Sequence, residues 1–510
     1  MKRKKVISLV LVMVMLASML TMTGCSNEEK QTGKAEEKEE VKDNSYSSSV
    51  DWDMDREYYY QNCSTIKDDV DSNGNEVVFE SVIWEELLYL CQQEGNYMIF
   101  FGGVEQENSA EVMGTINELA NQYGIKTVYN FDFWIDGSSE DTDIAVSTDA
   151  QTTGALYNQM YGYLVEQYLT NLNDFVEYTA DSENAVTYNK SEGMDKETFS
   201  TILGEDIKVP KVQTPFVFIY NKDNKADDGS AKPIVCGYEK NSKSTDEYKE
   251  AVEKEVFANV KSENMKFGEF SDEDYIRLAY NEENIPGIEN LELRMGTPIF
   301  PENQQVNVKD LTYAQLTWLL QQKGDYLIFF GAPWCGNTQA AIATVNDYAV
   351  ENDLVVYNLD LSLDSWLSVT LLGYGYDRLP VIKYNAFPLT HLYTDLVSNY
   401  LTNIELEIDG SGERYIEYTD KAGKSQKMGE MQTPFFLAYN KDAVDEDDFA
   451  TPIIGSVEDS HYSLGVDRDD YIYKADNYKK YRDEVYNVYK AYADDRNMDI
   501  KDIEVDRSAK

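Results

Sequence analysis

The chain carries an internal duplication, and this feature constrains its fold more than any other. Residues 84–102 (WEELLYLCQQEGNYMIFFG) are matched position by position by residues 313–331 (YAQLTWLLQQKGDYLIFFG). Farther along, residues 213–223 (QTPFVFIYNKD) are matched in the same order by residues 432–442 (QTPFFLAYNKD). Several matches in one order indicate two domains of the same architecture, joined in tandem.

In both copies, apolar runs of strand length alternate with stretches of helical periodicity. The first copy predicts strands near residues 97–101 and 127–132, and a helix over about 108–123. An insertion with a helical stretch (about 153–172) and an irregular hairpin follows, and the second copy repeats it with a helical stretch (about 388–401) and a hairpin. This alternation of strands and helices predicts an α/β fold for both copies.

One segment of the second copy has the pattern of a chemical site. An apolar run starting at Tyr326 ends in Gly-Ala-Pro, and Trp334-Cys335-Gly336-Asn337-Thr338 follows before an amphipathic pattern begins. This order predicts a buried strand that delivers Cys335 to the first turn of a helix. Unpaired backbone N–H groups and the helix dipole stabilise a thiolate there, so we expect a lowered pKa for Cys335.

This segment resembles the active site of the thioredoxin-like superfamily, where a strand leads into Trp-Cys-Gly-Pro-Cys. Here Asn337 replaces the proline, Thr338 replaces the second cysteine, and Phe329 stands where thioredoxins carry a buried aspartate. Thr433-Pro434 resembles the cis-proline element that presents the substrate backbone to the cysteine, and Trp334 would cover one side of the site. The resemblance implies two tandem thioredoxin-like α/β domains, each with a central mixed sheet flanked by helices and a helical and hairpin insertion before the cis-proline strand.

The first copy lacks the cysteine. In the alignment of the two copies, Gln106 takes the position of Cys335, while Thr214 and Pro215 retain the candidate cis-proline. We therefore expect the first copy to keep the fold without thiol chemistry, as a degenerate site with a structural or binding role.

The N-terminus has the layout of an export signal. A basic start precedes an almost wholly apolar run over residues 6–20, and Gly24-Cys25 ends it. The Gly-Cys ending resembles the bacterial lipobox, which implies a signal peptide over 1–24 and lipidation of Cys25; a plain signal peptide or an uncleaved anchor is the alternative. Residues 25–50 have the composition of a disordered acidic tether. We expect an extracytoplasmic protein, lipid-anchored to the bacterial cell membrane.

The remaining boundaries follow from the duplication. We assign the first domain to residues 51–280, a linker to 281–297 and the second domain to 298–510.

The formal net charge of −48 argues against nucleic acid as a partner. No cofactor motif is found, so none is expected. Partners would be the membrane, through the N-terminal lipid, and exported protein or peptide thiols; the oligomeric state stays open.

The other cysteines and one aromatic run have simpler interpretations. Cys91 and Cys236 lie in apolar patterns and are predicted to be core residues. Cys63 lies in a polar extension, where it could pair with a partner. The run Tyr58-Tyr59-Tyr60 could stack on a sugar or peptide, but it is more typical of an edge strand or of surface packing.

A second candidate site has the spacing of a calcium-binding loop. Asp69, Asp71, Asn73 and Glu80 match the oxygen ligands of an EF-hand, with Gly74 at the sharp turn. The alternative is a polar hairpin turn at Asn73-Gly74 that feeds the first strand.

Two functions are compatible with these observations. The first is thiol–disulfide exchange by a membrane-anchored protein with a single active-site thiol, Cys335. The second is a redox-inactive binding or scaffold role, in which the groove beside the proline holds an exported peptide or protein partner.

Overall fold

The computed structural model describes residues 46–67, 75–138, 140–145, 155–195, 200–240, 244–261, 265–281, 299–333, 336–360, 390–404, 415–419, 424–429, 431, 433–458 and 475–505. The predicted signal peptide, Cys25, nearly all of the linker, and the pair Trp334 and Cys335 lie outside these residues. In the part of the chain that is described, no helix combines the length and the apolar character needed to cross a membrane.

The first copy forms a five-stranded mixed sheet in the order β2-β4-β3-β7-β8. The three strands β2, β4 and β3 run parallel, and β7 and β8 are antiparallel additions. Strands β3 and β7 are buried along their whole length, which explains their continuous apolar sequences. The strands are β2 (Phe79–Ser81), β3 (Tyr97–Phe101), β4 (Val128–Phe131), β7 (Phe216–Tyr220) and β8 (Ile234–Glu239).

Helices and an insertion complete the first copy. The insertion before β7 is a helix followed by a two-stranded hairpin, β5 with β6. The elements are α1 (Met54–Asn62), α2 (Trp84–Leu90), α3 (Glu107–Tyr123), α4 (Ala155–Gln167), β5 (Val186–Asp195), β6 (Ser200–Val209), α5 (Thr245–Val252, continued by a π-helical turn over Glu253–Phe257) and α6 (Asp272–Asn281).

The second copy repeats this topology. Its sheet has the order β15-β14-β10-β11-β9, with an antiparallel β10–β14 pair and a parallel β10–β11 pair. A helix and a hairpin again precede the strand that follows the proline. The elements are β9 (Val308–Asp310), α7 (Tyr313–Leu319), β10 (Gly324–Phe330), α8 (Gly336–Glu351), β11 (Val356–Asn358), α9 (Thr390–Asn399), β12 (Tyr415–Thr419), β13 (Ser425–Gly429), β14 (Phe435–Asn440), β15 (Ile453–Glu458) and α10 (Ala475–Arg496).

The architecture is thus mixed α/β, with two mixed sheets flanked by helices. This arrangement is compatible with the thioredoxin-like fold implied by the sequence resemblance. Both Thr214-Pro215 and Thr433-Pro434 are cis peptide bonds, as that resemblance also implied.

The N-terminal boundary differs from the sequence-based assignment. Strand β1 (Tyr46–Ser47), which the composition placed in the tether, pairs in parallel with the start of β10 in the second copy. Ser48 is fully buried, and its hydroxyl accepts a hydrogen bond of 2.8 Å from Leu327 N. The Trp52 ring stacks on the Tyr46 ring at 4.9 Å between centroids. Burial of these aromatic rings holds the segment in the sheet despite its polar composition.

Two other expectations for the N-terminal region are wrong. The run Tyr58-Tyr59-Tyr60 lies in α1, and not in a strand, because Tyr58 and Tyr59 pack into the core from one helix. Cys63 is buried beside Met113, with 3.9 Å between the two sulfur atoms. Cys91 and Cys236 are buried as predicted, and all three of these thiols are free.

Candidate functional site

The second copy brings the predicted thiol site and the cis-proline to neighbouring strands. Strand β10 ends at Phe330, a buried turn follows over residues 331–333, and α8 begins at Gly336. Phe330 pairs with Phe435, the residue directly after Pro434. The chain on both sides of Trp334 and Cys335 therefore lies at the same sheet end as the cis-proline, although these two residues are not among those described.

Thr338 stands where thioredoxins carry the second cysteine. Its side chain is fully buried, and in the part of the chain that the structure describes its hydroxyl has no hydrogen-bond partner. Phe329, at the position of the buried aspartate of thioredoxins, is fully buried in β10.

An asparagine on β11 holds the turn that precedes the cysteine. Asn358 Oδ1 accepts a hydrogen bond of 3.1 Å from Gly331 N, and Asn358 Nδ2 donates to Gly331 O at 3.2 Å. Asn358 Nδ2 also donates to Asp310 Oδ1. Burial raises the pKa of Asp310 well above its usual range. The sequence reasoning missed both residues. For Asn358 a signal existed, because Val128-Tyr129-Asn130-Phe-Asp and Val356-Tyr357-Asn358-Leu-Asp repeat between the copies.

In the first copy, a side-chain amide occupies the position of the thiol. Gln106 is the N-cap residue of α3, and its Oε1 accepts hydrogen bonds from Thr214 Oγ1 (2.7 Å) and Ser109 Oγ (3.1 Å). Its Nε2 donates to Asp132 Oδ1 at 2.6 Å. The amide therefore links the helix start, the cis-proline segment of Pro215 and the end of β4. Gln106 offers no thiol at this position. Its hydrogen bonds instead connect three elements of the first copy.

Asp132 is a site residue that the sequence reasoning did not identify. Its Oδ1 also accepts a hydrogen bond of 2.9 Å from Trp134 N. Burial, with smaller contributions from the nearby carboxylates of Asp143 and Asp136, raises the pKa of Asp132 to about 7. Its equivalent in the duplication is Asp360, which is also buried.

A pocket at the junction of the two copies lies beside these aspartates. Both copies contribute aromatic and acidic side chains to its wall, among them Tyr58, Trp84, Asp132, Trp134, Tyr313 and Asp360. Its walls are suited to a flat or apolar group that also carries hydrogen-bond donors.

The predicted calcium loop is only partly within the described residues. Asp69, Asp71 and Asn73 lie outside them. Glu80 lies on β2, and its carboxylate faces Glu86 and Asp272.

Comparison of the chain with protein-family models and with curated proteins finds no match. The functional interpretation therefore depends on the geometry of the two copies.

Proposed function

We propose that this protein is a membrane-anchored, extracytoplasmic lipoprotein of the thioredoxin-like type, and that its second copy carries out monothiol thiol–disulfide exchange through Cys335. The position of Cys335 carries the proposal. In the sequence, Cys335 stands between the turn over residues 331–333 and Gly336, the first residue of α8, and these described neighbours lie at the sheet end of the cis-proline Pro434.

The start of α8 favours the thiolate form of Cys335. The N-terminal N–H groups of a helix and its dipole attract negative charge, which lowers the pKa of a thiol placed there. Thr338, in the first turn of α8, adds a hydroxyl that has no hydrogen-bond partner in the described part of the chain. As a donor to the thiolate, it would lower the pKa further.

The reaction needs one protein thiol and one outside thiol. The Cys335 thiolate attacks one sulfur of a substrate disulfide, a new S–S bond forms, and the other substrate sulfur leaves as a thiolate. Because Thr338 replaces the resolving cysteine, a second thiol must release the enzyme by the same exchange. When that thiol belongs to the substrate, the net result is disulfide isomerisation without a change in redox state.

The remaining residues of the site bind the substrate. Thr433 and Pro434 would present its backbone, and Trp334 would cover one side of the cysteine, as the resemblance to thioredoxins implies. The substrate class is an exported protein or peptide that contains a disulfide.

The first copy favours a second function, peptide or protein binding without redox chemistry. Gln106 replaces the thiol and is held by Thr214 and Asp132. The neighbouring pocket is lined by both copies, so the first copy has a binding surface even though it lacks a nucleophile.

Alkylation of Cys335 as a function of pH separates these two functions. The full chain is reacted with iodoacetamide, and mass spectrometry follows the peptide that contains Cys335, because Cys63, Cys91 and Cys236 are buried and serve as unreactive references. An activated thiolate gives a reaction midpoint near pH 6–7, below the value of about 8.5 for a free cysteine. A midpoint at or above about 8.5 would contradict the exchange function and leave the binding function.

A further inference from the structure

We propose that the junction between the two copies contains a binding site for a divalent cation, Ca²⁺ by preference, with Glu80, Glu86 and Asp272 as ligands. One carboxylate oxygen from each residue lies within 4.8 Å of the other two. Ligands of one Ca²⁺ ion stand at about 2.4 Å from it, so they are no more than about 4.8 Å apart. The three side chains come from β2, α2 and the first residue of α6, and the fold brings these elements together.

Glu86 provides an independent indication of a ligand. Its side chain is fully buried, and neither of its carboxylate oxygens has a hydrogen-bond partner in the part of the chain that the structure describes. An ionised carboxylate without partners is among the most unfavourable groups to bury, and a bound metal ion is one of the ways in which proteins satisfy it.

Other buried carboxylates near this cluster do have partners. Asp55 Oδ1 accepts hydrogen bonds from Ser81 N (3.1 Å) and Gln315 Nε2 (2.6 Å). Glu85, next to Glu86 on α2, accepts a hydrogen bond of 2.9 Å from Tyr275 Oη. The fold thus supplies donors for these neighbouring acids, and the lack of a donor at Glu86 calls for a different kind of partner.

Lys309 neutralises only part of the cluster. Its Nζ lies 2.5 Å from Asp272 Oδ2 and 2.8 Å from Asp55 Oδ2. The other oxygen of Asp272, Oδ1, is buried without a hydrogen-bond partner among the described residues. One ammonium group therefore serves two aspartates, while Glu80 and Glu86 add two further acidic groups.

The chemistry of the ligands favours Ca²⁺ over other common ions. All of the donors are carboxylate oxygens, which suit hard cations, and no histidine or cysteine belongs to this cluster. Both oxygens of Glu86 lack partners, which fits the bidentate carboxylate that Ca²⁺ accepts in its six to eight ligand positions. Mg²⁺ requires a tighter octahedral shell, and we therefore expect it to bind more weakly.

Calcium titration of the full chain by isothermal calorimetry, after removal of metals with EDTA, tests the proposal. The wild-type chain should show one saturable site above a background of weak sites, which the net charge of −48 makes unavoidable. Glu86→Gln should weaken that site by about tenfold or more, because it removes one ligand charge. The matched control is Glu85→Gln, which changes the neighbouring buried acid on the same helix and should leave the site intact.

A second measurement covers variants that fold poorly. Ca²⁺ should raise the melting temperature of the wild type and of Glu85→Gln, and not that of Glu86→Gln. If Glu86→Gln does not fold, Glu80→Gln takes its place, with the same expected loss. Absence of a saturable site in the wild type would overturn the proposal, as would equal binding by Glu86→Gln and the wild type. This test does not involve Cys335, so its result is independent of the exchange function.

Discussion

The side-chain carbonyl of Gln106 accepts a hydrogen bond of 2.7 Å from the hydroxyl of Thr214, the residue before a cis-proline. The same amide donates to Asp132 at 2.6 Å. In the second copy, the equivalent position in the sequence is Cys335. The duplication thus pairs a cysteine with an amide that is held by hydrogen bonds.

Replacing Gln106 should show how much its hydrogen bonds contribute to stability. Gln106→Leu keeps the side chain's approximate size but removes the hydrogen bonds of Gln106 with Thr214 and Asp132. We expect a loss of about 2–3 kcal/mol in the free energy of unfolding, measured by urea denaturation, because unpaired buried polar groups are costly. The control Gln321→Leu removes an exposed glutamine on α7's C-terminal side and should cost less than about 0.5 kcal/mol. Equal losses in the two variants would show that the Gln106 hydrogen bonds do not stabilise the fold.

Asp132 should make stability depend on pH. Its folded-state pKa of about 7 exceeds its ordinary value of 3.8, so the folded protein holds a proton that the unfolded chain has lost between these values. The stability that this carboxyl contributes is present below about pH 4 and is lost as the pH rises to 7.

Asp132→Asn removes the carboxyl group whose ionisation lowers the stability of the fold. In urea denaturation, we expect the free energy of unfolding of the variant to exceed that of the wild type by about 1–3 kcal/mol at pH 8, and by little or nothing at pH 4. Asp447→Asn, at an exposed position, should show no such dependence on pH. A constant difference between Asp132→Asn and the wild type at all pH values would contradict the raised pKa.

Thr338 should tune the thiol of Cys335. Thr338→Val keeps the shape of this buried side chain and removes its hydroxyl. A hydrogen bond to a charged group contributes about 1.5 kcal/mol, so we expect the alkylation midpoint of Cys335 to rise by about one pH unit. Thr338→Ser retains the hydroxyl and should keep the wild-type midpoint. The same midpoint in the valine variant and the wild type would show that the hydroxyl does not reach the thiolate.

Trp52 should stabilise the second copy, although it precedes the first copy in the chain. Its ring centroid lies 6.2 Å from that of Tyr326 on β10 and 6.1 Å from that of Tyr357 on β11. We expect Trp52→Ala to cost roughly 2–4 kcal/mol, because it empties an aromatic site. Hydrogen–deuterium exchange should become faster in β10 and stay unchanged in β3, and Trp52→Phe should have a smaller effect. If hydrogen–deuterium exchange became faster to the same extent in β10 and β3, this would contradict the stabilisation of the second copy by Trp52.

The sequence predicted the elements that depend on local patterns. Strand β3 and helix α3 lie where the apolar run and the helical periodicity place them, within one residue. Helix α1 was missed because three consecutive tyrosines favour a strand, and packing of Tyr58 and Tyr59 outweighs that preference.

The residues around the sites were harder to predict, because their partners are distant in sequence. Glu85 and Tyr275 are hydrogen-bonded across 190 positions, and Gln315 reaches Asp55 across 260. No local pattern encodes such contacts. The spacing of Glu80 suggested a calcium loop formed by its near neighbours, whereas the fold places its carboxylate among acids from α2 and α6.

The pairing of β1 with β10 also determines how the protein responds to tension. The described part of the chain begins at Tyr46, whose N–H donates to Lys323 O at 2.9 Å. A pull on the segment before Tyr46 would therefore load β10 in shear, along the strand that leads to Pro333 and the start of α8. The force would reach the cysteine-bearing copy first.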